Sequence, residues 1–101
     1  MARFLIEVPH AANAIACGQA VQIFMDTGSH FMTHADFGCG DGEHKAWLTV
    51  DVASREEALR ILPPALRARA RVVRLNKFSM THFGAMLRQH LHGKAPQPAG
   101  A

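Results

Sequence analysis

Polar and apolar residues alternate from the start of the chain, with Phe4, Ile6 and Val8 set against Arg3, Leu5 and Glu7. That is the period of a half-buried strand, and Pro9 breaks it. From about Ala12 to Thr27 the spacing turns helical, with Ile15, Val21, Ile23 and Phe24 available for a buried stripe, and Gly28 is placed to stop it in a left-handed turn. Alternation returns over Ser29–Phe37, with His30, Met32, His34 and Asp36 on one side and Phe31, Thr33, Ala35 and Phe37 on the other. Gly38-Cys39-Gly40-Asp41-Gly42 reads as a hairpin turn, because its glycines supply positive φ. The next strand is His44–Val52, with Ala46, Leu48, Val50 and Val52 opposite Lys45, Trp47, Thr49 and Asp51. Ser54 and Glu57 form a capping box that opens a helix to about Leu62, where Pro63-Pro64 ends it. A short turn over Ala65–Arg69, a strand over Ala70–Phe78 and a helix from Ser79 to about His90 follow, the last with Phe83, Met86 and Leu87 on its apolar side.

The order β-α-β-β-α-β plus a helix predicts an α+β domain, a ferredoxin-like βαββαβ sandwich over residues 1–91, with 92–101 a disordered tail. Both helices then cover one sheet face. Phe4, Ile6, Val8, Leu48, Val50 and Val52 are the more apolar sets and should lie under them, with Val73 and Leu75 buried beside them. The other face collects Leu5, Glu7, His30, Met32, His34, Asp36, Trp47 and Thr49, with Val72, Arg74, Asn76 and Phe78 from the last strand. Leu5, Met32 and Trp47 on one open face call for a cover, and a second copy is the commonest one. A homodimer or higher homo-oligomer closing a dimeric α+β barrel is expected.

The 101 residues suit one modest core, and 49% hydrophobic with 19% charged residues is an ordinary globular balance. No apolar run approaches the roughly 20 residues that span a bilayer, and the first residues lack a signal-peptide pattern, so a cytoplasmic, membrane-free protein is expected. Net charge is +3, with Arg55, Arg60, Arg67, Arg69, Arg71, Arg74 and Lys77 clustered. A solvated face explains the cluster more simply than nucleic acid does, because the central strands offer Trp47 but no set of stacking aromatics. Cys17 reads as a small buried hydrophobe within a helical pattern, and Cys39, between glycines, as an accessible ligand or thiol.

Residues 30–44 hold the densest chemistry. His34, Cys39 and His44, supported by His30, Asp36 and Asp41, are transition-metal ligand types that suit nickel, zinc, copper or iron. His30 and His34 on one strand would stand about 13 Å apart at Cα, too far for both to reach one ion, so the hairpin tip is the more compact set. Two alternatives use the same face. In one, Glu7, Met32, Trp47 and Arg74 line a metal-free pocket for a small molecule, with a histidine as acid or base and Arg74 pairing an anion. In the other, the face is purely an oligomer interface. Cys39 with His34 or His44 is a minor candidate for nucleophilic catalysis. His10, His82, His90 and His92 need no function; the last two sit at a helix end, where imidazolium is favoured.

In element order and size, residues 3 to 90 resemble the small dimeric α+β-barrel superfamily, which includes short nickel-binding proteins and compact isomerases and monooxygenases. The resemblance implies dimerisation and a cavity-lined site, and leaves the activity open.

Overall fold

The computed structural model describes residues 1–92, apart from the side chains of His82, Phe83 and His92. The tail expected over 92–101 lies, from residue 93 onward, outside the described residues. The elements are β1 (Ala2–Pro9), α1 (Ala14–Asp26), α2 (His30–Thr33), β2 (Asp36–Phe37), a 3-10 turn (Cys39–Asp41), β3 (Lys45–Val52), α3 (Arg55–Arg60), α4 (Pro64–Arg67), β4 (Arg71–Leu75) and α5 (Met80–His92). The strands form one antiparallel sheet in the order β2-β3-β1-β4. The molecule is an α+β protein whose four-stranded sheet is open on one face.

Register decides the two faces. Phe4 stands opposite Val50, Ile6 opposite Leu48 and Val8 opposite Ala46, and all six are buried. Phe24 of α1, Met32 of α2, Ala58 of α3 and Leu62 close over them. The expected apolar sets on β1 and β3 therefore do lie beneath the helices. Leu5 with Thr49, Glu7 with Trp47 and Arg3 with Asp51 occupy the uncovered face.

Local chemistry explains the caps. Asn13 accepts the Ala16 amide at 2.8 Å to start α1, and Gly28 follows its end at φ 69°. The capping box is present: Ser54 Oγ accepts the Glu57 amide at 3.1 Å, and Glu57 accepts the Ala53 amide at 2.8 Å. Part of the basic cluster serves the backbone, with Arg67 donating to the Leu62 carbonyl and Arg55 to that of Val72.

Three expectations are corrected. Residues 30–33 are helical rather than extended, because Ser29 caps them, accepting the Met32 amide with Oγ, while the Thr33 hydroxyl donates to the Ser29 carbonyl. Met32 is thereby fully buried, not displayed on the open face. On β4 the parity is reversed: Val72 pairs with Ile6 and packs against the core, while Val73 and Leu75 pair with Leu5 and Arg3 on the open face. Arg74, opposite Phe4, is on the other face from Glu7 and Trp47, so the four residues expected to line one pocket do not share a surface. On α1 the inward positions are Cys17, Ala20 and Phe24, and Ile15, two residues and about 200° from Cys17, is 75% exposed.

The hairpin strand β2 pairs only with Trp47 and Ala46. From Leu48 onward the outer edge of β3 has no strand partner among the described residues. Instead α2 lies beside it across a cleft of about 230 Å³ lined by His30, Phe31, His34 and residues 48–51. The C-terminal helix α5 has little contact with the other elements, and the radius of gyration is 16.8 Å where a compact chain of this length has about 13 Å. Met80, Met86, Leu87 and Leu91 are exposed along it.

Phe24→Ala should destabilise the fold by about 3–5 kcal/mol, whereas Ile15→Ala should shift it by no more than about 0.5 kcal/mol. Urea unfolding followed by Trp47 fluorescence measures both; similar losses for the two variants would contradict this assignment of the helix face.

Candidate metal centre

The apolar alternation of β1 and β3 runs one position past each strand. After Phe4, Ile6 and Val8 comes His10; before Val50, Leu48 and Ala46 comes His44. The His10 amide donates to the His44 carbonyl at 3.0 Å, continuing the ladder beyond Pro9 and Lys45. The two imidazoles therefore meet on the helix-covered side at one end of the sheet, edge to face, with ring centroids 5.8 Å apart. From above, the first turns of α1 bring Cys17, on the same helix face as Ala20 and Phe24. From the side, the 3-10 turn presents Cys39.

One ligand atom from each of His10, Cys17, Cys39 and His44 lies within 4.8 Å of all the others, and all four residues are half-buried. Two ligand atoms held about 2.0–2.3 Å from one ion stand about 3.3–3.8 Å apart in a tetrahedron, so a shift on the order of 1 Å would bring the set to bonding distance. Cys39 Sγ is 3.1 Å from His10 Nε2. Each imidazole also has a buried Nδ1 with no hydrogen-bond partner among the described residues. An unsatisfied buried nitrogen costs about 1–3 kcal/mol, and two side by side mark a place with a polar task.

Electrostatics favours the neutral imidazole that a metal needs. Burial, and then the neighbouring His44, hold His10 below the usual histidine range. The Cys17 thiol is pushed up by its hydrogen bond with Cys39, by desolvation and by the charge Cys39 would carry. A cation between the two sulfurs would reverse that preference, because a coordinating thiol gives up its proton.

The turn that carries Cys39 is tightly built. The Gly38 amide donates to the Lys45 carbonyl at 3.0 Å, the Gly38 carbonyl accepts from Asp41 and Glu43, and Gly42 closes the turn at φ 85°. A Cβ on Gly38 would meet the Trp47 ring at 2.7 Å and the Glu43 carbonyl oxygen at 2.8 Å, so only glycine fits. Trp47 is held in turn by its indole N–H, which donates to Glu7 at 3.2 Å, and Glu7 also pairs with Lys45 at 3.6 Å.

The ligand set expected from sequence is thus divided. Cys39 and His44 fall in the cluster. His30 and His34 stand apart from it on α2, their rings 4.3 Å apart and His34 Nδ1 2.7 Å from the His30 carbonyl oxygen. Asp36 is exposed opposite Trp47, and Asp41 is exposed on the turn. His10 and Cys17 take their places. Both had a signal in the sequence: His10 is the next inward position after Val8, and Cys17 lies three and seven residues before Ala20 and Phe24.

No helix among the described residues is long and apolar enough to cross a membrane. Comparison of the chain with protein-family models, with curated proteins and with solved structures gives no match.

Gly38→Ala should cost about 1–3 kcal/mol of stability, because the added methyl meets a backbone oxygen and a ring that is itself pinned. Gly40→Ala, with nothing within 4 Å of its Cβ, should be nearly neutral. Thermal unfolding of the pair checks this; equal effects would mean that Trp47 does not constrain the turn.

Proposed function

We propose that this chain is a metal-binding protein in which His10, Cys17, Cys39 and His44 hold a single ion, zinc being the best match. The observation that carries the reading is the convergence of four ligand atoms from four separate segments within 4.8 Å. Two thiolates and two imidazoles form a donor set suited to tetrahedral zinc. With four protein ligands the coordination is complete, which favours a structural or metal-handling role over catalysis at the ion. The ion would join the end of β1, the start of α1, the hairpin turn and the start of β3, so binding would also stabilise the fold.

Elemental analysis by plasma mass spectrometry of untagged protein, purified without chelator, tests this. About one zinc per chain is expected in the parent, falling to near none in Cys39→Ser and His10→Ala and staying unchanged in His34→Ala. Because protons compete with the ion for thiolates and imidazoles, occupancy should fall as the pH is lowered. A parent that holds no metal and takes up none, or a site lost through His34→Ala but not through His10→Ala, would sink the proposal.

We further infer that the sandwich is ferredoxin-like and joins a second copy through its open face. The order β2-β3-β1-β4 supports the first point. The second is supported by Leu5, Trp47, Val73 and Leu75 on the uncovered face and by the apolar exposure of α5. Sedimentation equilibrium should give twice the 11.0 kDa chain mass for the parent and the single-chain mass for Leu75→Lys. A parent that stays monomeric at high micromolar concentration would refute it.

A further inference from the structure

We propose that Cys17 and Cys39 are a reversible redox pair, and that their oxidation to a disulfide by a peroxide releases the ion from the site. The inference rests on the metal-binding reading of the same four residues. The two sulfurs lie within 4.8 Å of each other, so a relative shift of no more than about 3 Å brings them to the roughly 2 Å of a disulfide bond. They are the only two cysteines in the chain, so intramolecular oxidation has one product. Both are half-buried rather than sealed, which admits a small oxidant.

In the metal-free protein His10 Nε2, 3.1 Å from Cys39 Sγ, can take the thiol proton and return it to the departing oxygen; in the loaded protein Cys39 is already a thiolate and the proton comes from solvent. Cys39 lies on the 3-10 turn beside His10, whereas Cys17 lies within the 13-residue α1, so Cys39 is the sulfur with a base next to it. The Cys39 thiolate attacks one oxygen of hydrogen peroxide, the O–O bond breaks, and the leaving hydroxide takes a proton to become water. The Cys17 thiolate then attacks the Cys39 sulfenic sulfur, forming the S–S bond and expelling the second oxygen as water. Overall, two thiolates, one peroxide and two protons give one disulfide and two waters; sulfur is oxidised and the peroxide reduced. The ion keeps its charge but loses both sulfur ligands. Two imidazoles remain, too few to hold it as four ligands did.

The experiment treats zinc-loaded and metal-free protein with hydrogen peroxide. It reads intact mass, free zinc with a chromogenic chelator, and recovery after dithiothreitol. The loaded protein should lose about 2 Da and release one ion per disulfide, and reductant should restore both. Cys17→Ser should instead gain about 32 Da as Cys39 passes to the sulfinic acid, with no recovery. The metal-free arm separates the two proposals: if zinc never loads, the metal reading fails, yet loss of two hydrogens in that arm still supports the redox pair. Sulfinic acid on the parent Cys39, a disulfide between two chains, or zinc retained after the disulfide forms would each overturn the inference.

Discussion

The antiparallel ladder between β1 and β3 is the constraint on which the rest depends. Its register, Ile6 opposite Leu48, places six apolar side chains on one face and gives α1, α2 and α3 a surface to cover. The same register, carried one pair further, sets His10 against His44. Core and candidate centre are thus consecutive stretches of one pattern. A slip of one residue would bury Glu7 if β1 moved, or Trp47 if β3 did, and would separate the two imidazoles, because every side chain on the slipped strand changes face. The core and the candidate site depend on the same pairing.

The fold was largely legible because its strongest signals are physical and local. Alternation in β1 and β3, the Ser54–Glu57 box, the stop at Pro63-Pro64 and the glycine-rich turn each admit few conformations. The misread stretches are those where two patterns compete. Over residues 30–36 the alternation is clear, but Ser29 and Thr33 supply backbone partners that a helix can use at once, and Met32 gains more from the core than from a surface. On β4, Val72, Val73 and Leu75 are apolar on both sides, so only pairing with β1 could decide which went inward. In α1, Ile15 is the more hydrophobic residue and Cys17 the better placed one.

The candidate site was half legible for a related reason. Cys39 and His44 lie in a dense run that draws the eye, whereas His10 and Cys17 come from distant segments that only the folded sheet and helix bring in. The link is one of face rather than sequence distance: His10 continues Phe4, Ile6 and Val8, and Cys17 precedes Ala20 and Phe24 on one stripe. A shared face, not proximity in sequence, joins these four residues. The density of the His30–His44 run was itself misleading, since the helical turn at α2 draws His30 and His34 toward each other and away from the thiols.

The brevity of β2 has a further consequence for behaviour in a crowded solution. A strand of the length that the alternation suggested would have carried its own exposed outer edge, a long row of unpaired amides and carbonyls open to any extended chain. By curling residues 30–33 into a helix beside β3, the chain shortens that row to the part of β3 that faces α2 across the cleft. The bulky rings of α2 flank the cleft, while Thr49 and Asp51 roughen the uncovered part of β3. The turn of helix that removes two histidines from the candidate centre also sets bulky rings beside that edge of the sheet, where an added strand would have to lie.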